Sequence, residues 1–126
     1  MTTYLTNSLI EVARKSSILV TGSSGYLGNE LFRQLRMAKI PFIAVDKEPS
    51  RAPEEETALN LSSEAATLSL FQEASPDTII HCGTHSALAY QNDFISSFRE
   101  DLLAVSNILE GLSGNRDARL IFFSSS

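Results

Sequence analysis

Three glycines, spaced three residues apart, constrain the fold of this chain more than any other feature of its sequence. Gly22, Gly25 and Gly28 follow directly after a short apolar run, residues 18–20. A wholly apolar run of this length is typical of a strand that is buried on both faces. The next segment repeats apolar residues with helical spacing, at Leu27, Leu31, Phe32 and Leu35. The sequence therefore predicts a strand, a tight turn and a helix that ends near Lys39.

The glycine turn has the properties of a phosphate-binding turn. Gly22 lets the chain turn sharply off the strand, Gly25 removes a Cβ that would keep a diphosphate away from the backbone, and Gly28 lets the helix pack close to the sheet. The free N–H groups of the first helical turn, together with the macrodipole, then face the diphosphate. Closely spaced glycines also occur in flexible loops, so the turn alone leaves both interpretations open.

An acid at the end of the next apolar run, residues 41–46, favours a dinucleotide. Asp46 lies 18 residues beyond Gly28, close to the offset of roughly 20 expected of the carboxylate that binds the adenosine ribose hydroxyls. The alternative is an ordinary turn residue. Because a carboxylate repels a 2'-phosphate, Asp46 favours NAD over NADP, while Lys47 and Arg51 keep NADP open.

Loop, helix and strand patterns follow along the chain. Residues 47–56 contain two prolines and four glutamates and are predicted to form an exposed loop, and residues 57–61 a weak third strand. A helix is predicted from Ser62 or Ser63 to about Ala74. Its inward-facing residues are predicted to be Ala65, Leu68 and Phe71.

A fourth strand, a long helix and a fifth strand complete the pattern. Residues 77–81 predict the fourth strand, a polar crossing follows, and residues 120–123 predict the last strand. The long helix ends at Gly114 and Asn115 and has one apolar face, at Phe94, Phe98, Leu102, Val105, Leu109 and Leu112. The alternation predicts an α/β fold, an incomplete Rossmann-type doubly wound parallel sheet of about five strands in the order 3-2-1-4-5.

Composition and charge exclude several functions. The net charge of −5, with scattered Lys and Arg, argues against a nucleic-acid-binding surface. No apolar run approaches the roughly 20 residues of a membrane helix, so no membrane contact is expected. Residues 1–15 lack the apolar core of a secretory signal and are expected to be a lead-in segment. The single cysteine, Cys82, excludes an internal disulfide, and a cytoplasmic location is expected.

The order of these segments resembles that of a known family. Residues 21–28, Thr-Gly-Ser-Ser-Gly-Tyr-Leu-Gly, resemble the opening motif of the extended short-chain dehydrogenase/reductases, the NAD-dependent epimerase/dehydratase family, which acts mostly on nucleotide sugars. Residues 77–83 resemble its fourth strand and small-residue turn, residues 101–110 its central helix, and residues 120–126 its strand ending in serines. The resemblance covers residues 16–126 and implies that they form an NAD(P)-binding Rossmann domain.

The resemblance implies roles for individual residues. Tyr26 and Leu27 join the three glycines at the cofactor, and Cys82 and Gly83 line it. Asn60 and Leu61 stand where the family has an Asp and an aliphatic residue at the adenine, and an Asn can still exchange hydrogen bonds with an adenine amine. Two further positions, Asp101 and Ala104, depart from the family's usual Asn and Gly.

The catalytic apparatus that the family uses is incomplete in this sequence. Ser126 resembles the family's catalytic Ser/Thr, the alternative being a polar tail, but the Tyr-x-x-x-Lys pair that supplies the general base is missing. The tyrosines at 4, 26 and 90 are followed four residues later by Ser8, Glu30 and Phe94. The resemblance therefore implies the NAD(P)-binding portion of a nucleotide-sugar epimerase, dehydratase or reductase, truncated before its catalytic segment and inactive in this form.

Two other interpretations concern the second half of the chain. His81, Cys82 and His85 together resemble a set of metal ligands, but they leave a strand without a carboxylate partner, so we expect no metal and favour cofactor lining. The alternative to an enzyme portion is a non-catalytic module. Such a module would sense a dinucleotide or pair with another chain through its hydrophobic edge strand.

Overall fold

A parallel five-stranded sheet forms the centre of the fold in a computed structural model, which describes residues 17–123. The strands are β1 (Ile18–Thr21), β2 (Ile43–Asp46), β3 (Thr57–Ala58), β4 (Thr78–His81) and β5 (Arg119–Phe122). Their order is β3-β2-β1-β4-β5, and every neighbouring pair is parallel. The predicted Rossmann-type sheet and its order 3-2-1-4-5 are confirmed. The predicted lead-in, residues 1–15, lies outside the described residues.

Helices cover both faces of this sheet. They are α1 (Tyr26–Met37), α2 (Glu64–Ala74), α3 (Ala87–Asn92) and α4 (Phe94–Gly111). On the α1 face, Ile18 and Val20 of β1 pack with Leu35, Ala38 and Ile40. On the α2 and α4 face, the cluster consists of Leu19, Val45, Leu61, Phe71, Ile79, Ala104, Ile108 and Leu112. Alternate residues of β1 therefore contribute to two cores, which explains why this strand is wholly apolar until its last residue.

The observed element boundaries differ from the prediction where a residue cannot join the ladder. β2 begins at Ile43 rather than at residue 41, and Pro41, which has no N–H to donate, lies outside the ladder. β3 is two residues long rather than five, since Asn60 Oδ1 accepts from Ser62 N at 3.0 Å and bends the chain away. The predicted polar crossing contains the short helix α3, whose N-cap Ser86 accepts from Ala89 N at 3.2 Å.

The long helix α4 turns a different face inward from the one that its large apolar residues suggest. Of the predicted face, Leu112 is buried as expected and Val105 is half-buried. Phe94, Phe98, Leu102 and Leu109 lie on the surface, each more than half exposed, and the buried residues within the helix are Ser97, Ala104, Asn107 and Ile108. The cause is a close approach between helices, since a Cβ on Gly111 would lie 2.6 Å from the Phe71 ring of α2. The missing side chain at Gly111 leaves room for the Phe71 ring, and Ile108 packs in the same core. Within residues 17–123, no helix is long and apolar enough to cross a membrane.

A smaller correction applies to α2. Phe71 is buried as predicted and Leu68 is half-buried, but Ala65 is exposed. Thr67 takes the inward position instead, because its hydroxyl donates to the Leu61 carbonyl at 3.2 Å. A buried hydroxyl with such a partner carries little penalty.

Candidate functional site

A pocket of about 220 Å³ lies at the carboxyl edge of the sheet, where β1, β2 and β4 end. This is the edge at which open α/β sheets bind their ligands. Seven of the residues predicted from sequence line it: Gly22, Gly25, Asp46, Asn60, Leu61, Cys82 and Gly83. The structure therefore brings together residues that are up to 61 positions apart in the chain.

The three glycines of the turn differ in what surrounds them. Gly22 has φ +65°, and a Cβ on it would lie 2.6 Å from the backbone of Cys82 and Gly83. A Cβ on Gly28 would lie 2.0 Å from the Gly22 carbonyl oxygen. A Cβ on Gly25 would meet only that same oxygen, at 3.3 Å. The fold thus needs the first and last glycine, whereas the missing side chain at Gly25 mainly keeps the pocket wall open. A diphosphate fits such a wall, because it can approach the backbone there.

The N-terminus of α1 lacks a side-chain cap, unlike the other helices. Gly25 is its N-cap residue and offers no side-chain acceptor, whereas α2, α3 and α4 are capped within residues 17–123 by Ser63, Ser86 and Asp93. The first N–H groups of a helix have no acceptor inside the helix. The α1 groups are therefore available to an anion beside Gly25.

Tyr26 and Leu27 lie outside the pocket lining. The Tyr26 residue is fully exposed and Leu27 is 43% exposed, and neither side chain borders the cavity. What they can offer a ligand beside Gly25 is their backbone N–H groups, which belong to the first turn of α1.

Asp46 is fixed at the mouth of the pocket by backbone hydrogen bonds. Its Oδ2 accepts from Ser24 N at 3.0 Å, and its Oδ1 accepts from Glu48 N at 2.8 Å. Each carboxylate oxygen has a second lone pair, so the group can still accept hydrogen bonds from a ligand. The carboxylate is thereby oriented before any ligand arrives.

The predicted adenine end of the pocket is built by Asn60 and Leu61. The Leu61 carbonyl accepts from Asn107 Nδ2 at 2.8 Å, which ties this segment to α4. Asn60 Oδ1 already accepts from Ser62 N at 3.0 Å and Ser62 Oγ at 2.7 Å. The Asn60 oxygen is thus already engaged, and its amide nitrogen is a donor rather than the acceptor that an adenine amine requires.

Thr21 and His81 hold the turn that follows β4. Thr21 Oγ1 accepts from Cys82 N and Gly83 N, both at 3.1 Å, and lies 2.6 Å from His81 Nδ1. The hydroxyl already accepts two hydrogen bonds, which favours the tautomer in which it donates to Nδ1 and the imidazole hydrogen is on Nε2. His81 is fully buried, and its Nε2 has no partner among residues 17–123. Burial lowers the pKa of His81 and, at the neighbouring position, raises the pKa of Cys82.

A buried carboxylate beneath the glycine turn was missed by sequence reasoning. Residues 47–56 form a loop as predicted, but Glu56 is only 2% exposed, which corrects the prediction of an exposed segment. Burial by itself raises the pKa of Glu56, but hydrogen bonds from Ser23, Ser24 and Arg51 outweigh that effect and lower it below the ordinary value. The segment has no apolar pattern, so its sequence gave no signal for burial.

A cluster of charged side chains from the segment after β4 and from α4 also borders the pocket. His85 Nδ1 lies 2.7 Å from Asp101, and its Nε2 lies 3.3 Å from Glu100, which also pairs with Lys47 at 3.4 Å. Tyr90 donates to Asp101 at 2.5 Å, and this hydrogen bond raises the pKa of Tyr90 to about 12. Asp101, which stands where the family usually has Asn, thus has a structural role at the rim of the pocket.

Two further predictions concern a metal site and the catalytic serine. Among residues 17–123, no group of three or more His, Cys, Asp or Glu side chains is arranged to hold a metal ion. The predicted catalytic Ser126 lies outside the described residues.

Comparison with known proteins places these features in a family. The model of the NAD-dependent epimerase/dehydratase family matches residues 18–126. The chain belongs to this family. No curated protein matches the sequence.

Solved structures share the fold of this family member. An L-threonine dehydrogenase from Clostridium difficile has a TM-score of 0.76 at 22% identity over 87% of this chain. A UDP-glucose 4-epimerase from Thermotoga maritima with UDP-glucose has a TM-score of 0.75 at 20% identity over 86%. A short-chain dehydrogenase/reductase superfamily protein from Agrobacterium tumefaciens with bound NAD has a TM-score of 0.73 at 26% identity over 86%. The chain spans 36%, 38% and 32% of their respective lengths.

The unequal surroundings of the glycines lead to a first prediction. Gly28→Ala places a Cβ against the Gly22 carbonyl and should lower the thermal midpoint strongly, since overpacking of this kind costs about 1–3 kcal/mol. Gly25→Ala should change the midpoint little but reduce the affinity for a nicotinamide dinucleotide at least about tenfold. Differential scanning fluorimetry and isothermal titration calorimetry measure the two effects. Equal loss of stability in both variants would contradict the different roles given to these glycines.

Burial of His81 leads to a second prediction. Its folded pKa lies below the unfolded value of about 6.5, so between these values the unfolded chain binds a proton that the folded chain does not. The free energy of unfolding should therefore fall as pH drops below about 6.5, by at most about 1.4 kcal/mol per pH unit from this group. Urea titrations of wild type and His81→Asn between pH 8 and 5 measure the difference. Parallel pH profiles would contradict it.

Proposed function

We propose that this chain binds NAD and is the NAD-binding portion of a nucleotide-sugar epimerase, dehydratase or reductase. The observation that carries the proposal is the placement of Gly25, the uncapped N-terminus of α1 and the Asp46 carboxylate around one pocket. These groups match the successive parts of a dinucleotide, a diphosphate followed by the adenosine ribose.

Each part of the pocket has a distinct binding role in this proposal. The diphosphate lies against Gly22 and Gly25, where the α1 N–H groups and helix dipole offset its charge. Asp46 accepts hydrogen bonds from the ribose hydroxyls. Leu61 contributes apolar surface and Asn60 a donor to the adenine, and Cys82 and Gly83 form the floor of the cofactor groove. These residues would hold the dinucleotide, whose nicotinamide would supply hydride transfer where a catalytic segment is present.

NAD is the proposed cofactor in preference to NADP. Asp46 would repel a 2'-phosphate, and Lys47 is already paired with Glu100 at 3.4 Å. A relative of similar fold is recorded with bound NAD, and another with UDP-glucose. These two structures support the proposal that this chain binds a dinucleotide and that the full-length protein acts on a nucleotide sugar.

Binding without turnover is proposed for the 126 residues by themselves. The sequence contains no Tyr-x-x-x-Lys, the pair that supplies the family's general base. Ser126 would contribute to catalysis where such a pair is supplied. We propose residues 16–126 as the binding domain and the cytoplasm as its location.

One observation favours a second candidate function, a module that pairs with another chain. Within residues 17–123, β5 is an edge strand, and Ile121, Phe122 and Phe123 next to that edge are 45%, 50% and 44% exposed. A hydrophobic strand with an unpaired edge is a template for β-augmentation.

Binding of NAD is the third prediction. Titration calorimetry should register NAD binding by wild type, and Asp46→Asn should weaken it about tenfold, because the amide offers one acceptor oxygen instead of two charged ones. Asp117→Asn changes an exposed aspartate far from the pocket lining and should leave the affinity unchanged. If calorimetry detects no binding heat with either NAD or NADP, the proposed function is wrong.

Self-pairing through β5 gives the fourth prediction. If the edge pairs with a second copy, wild type should associate with rising concentration in sedimentation-velocity experiments, and Ile121→Lys should abolish the association. Leu102→Lys puts the same charge on an exposed apolar residue of α4 and should have no effect. A wild type that stays monomeric, or an equal effect of both variants, would count against the edge as the contact.

A further inference from the structure

Glu56 joins two parts of the molecule that meet beneath the pocket. It ends the loop between β2 and β3, and its carboxylate accepts hydrogen bonds from the hydroxyls of Ser23 and Ser24 within the glycine turn. It also accepts from Ser50 N at 3.1 Å and Arg51 N at 3.2 Å. A buried carboxylate is tolerated here because donors surround it.

The same carboxylate holds the Arg51 side chain. Arg51 Nη1 donates to Glu56 Oε2 and to the Ser23 carbonyl, both at 3.1 Å, and Nη2 donates to Asn29 Oδ1. The guanidinium carbon lies 3.6 Å from the centre of the Phe32 ring. The side chain is 15% exposed and does not line the pocket. The Arg51 side chain is therefore held by contacts with α1 and with the glycine turn.

This arrangement removes a cation from the place where it would matter for cofactor choice. Discrimination between NAD and NADP depends on the 2'-position of the adenosine ribose, where an acid selects the hydroxyl and a nearby Arg accommodates the phosphate. The loop after β2 contains two cations, Lys47 and Arg51. Its backbone is close to the acid, since Ser50 N donates to Ser24 Oγ at 2.8 Å while Ser24 N donates to Asp46. A released Arg51 side chain would start next to the residues that hold Asp46.

We propose that Glu56 is a specificity-determining residue, which keeps the site selective for NAD by holding Arg51 away from the ribose 2'-position. This inference rests on the proposed function and extends it from Asp46, which repels the phosphate, to Glu56, which withholds the cation that would bind it. Glu56 acts through Arg51 and is a positioning residue, since it does not line the pocket. The ion pair holds because a buried guanidinium without its carboxylate partner is strongly disfavoured.

The test is the ratio of the dissociation constants for NADP and NAD, measured by titration calorimetry at one salt concentration. Glu56→Gln removes the charge that holds Arg51, and the ratio should fall about tenfold or more as the guanidinium becomes free to bind the phosphate. The double variant Glu56→Gln with Arg51→Met retains a long apolar stem against Phe32 but has no cation, and the ratio should return toward the wild-type value. Glu54→Gln makes the same change of charge at an exposed position of the same loop and should leave the ratio unchanged.

A second variant keeps the proposal testable if Glu56→Gln does not fold. Asn29→Ala removes one acceptor of Arg51 at an exposed position without altering Glu56, and it should shift the ratio in the same direction by a smaller factor. A general loosening of the turn would lower the affinities for NAD and NADP equally and leave their ratio unchanged. If folded Glu56→Gln and Asn29→Ala variants give that result, the inference is overturned while the proposed function stands. A wild type that binds neither cofactor overturns both.

Discussion

The rest of the structure depends on a backbone contact at the first glycine of the turn. Gly22 lies against the backbone of Cys82 and Gly83 on one side and against Gly28 on the other, at distances that leave no room for a Cβ. This contact brings the end of β1, the end of β4 and the start of α1 to one place. A pocket with backbone walls results, and the uncapped end of α1 faces it. Larger side chains here would separate the sheet from the helix and remove the site.

Two polar networks support this contact from either side. Thr21 Oγ1 accepts from Cys82 N and Gly83 N and bonds to His81, which fixes the β4 side. On the other side, Glu56 accepts hydrogen bonds from the hydroxyls of Ser23 and Ser24 and so fixes the glycine turn. Both central groups are buried, and their surroundings set their charge in opposite ways. His81 is kept neutral by burial, whereas Glu56 is kept charged by its donors.

Sequence reasoning succeeded where a residue type has one dominant physical use. The glycine turn, the apolar strands and the acid after β2 follow from backbone conformation and periodicity, and the strand order follows from their alternation. The same reasoning failed for α4, because hydrophobic spacing shows which residues share a face but not which face approaches a neighbour. The Gly111 and Phe71 contact decides that, and it joins residues from two different helices.

The residues near the site whose contacts were not predicted share another property. Glu56 and Arg51 are charged residues in a segment rich in proline and glutamate, and by composition they belong at the surface. Their burial depends on partners 22 to 33 positions away, such as Ser23 and Asn29, and a single sequence does not show such pairing. The rim formed by His85, Glu100 and Asp101 has the same origin, since a loop and a helix contribute to it.

The apolar row on α4 affects how the chain behaves in water. Phe94, Phe98, Leu102 and Leu109 leave carbon surface in contact with solvent, and Phe94 stacks on Phe98 with ring centres 6.1 Å apart. Sulfate and phosphate salts are excluded from protein surfaces and raise the free energy of such hydration. Mutual repulsion from the net charge of −5 opposes clustering, and it vanishes as the pH approaches 4.9. We therefore expect the molecules to associate in two conditions, at a pH near 4.9 and at high concentrations of sulfate or phosphate.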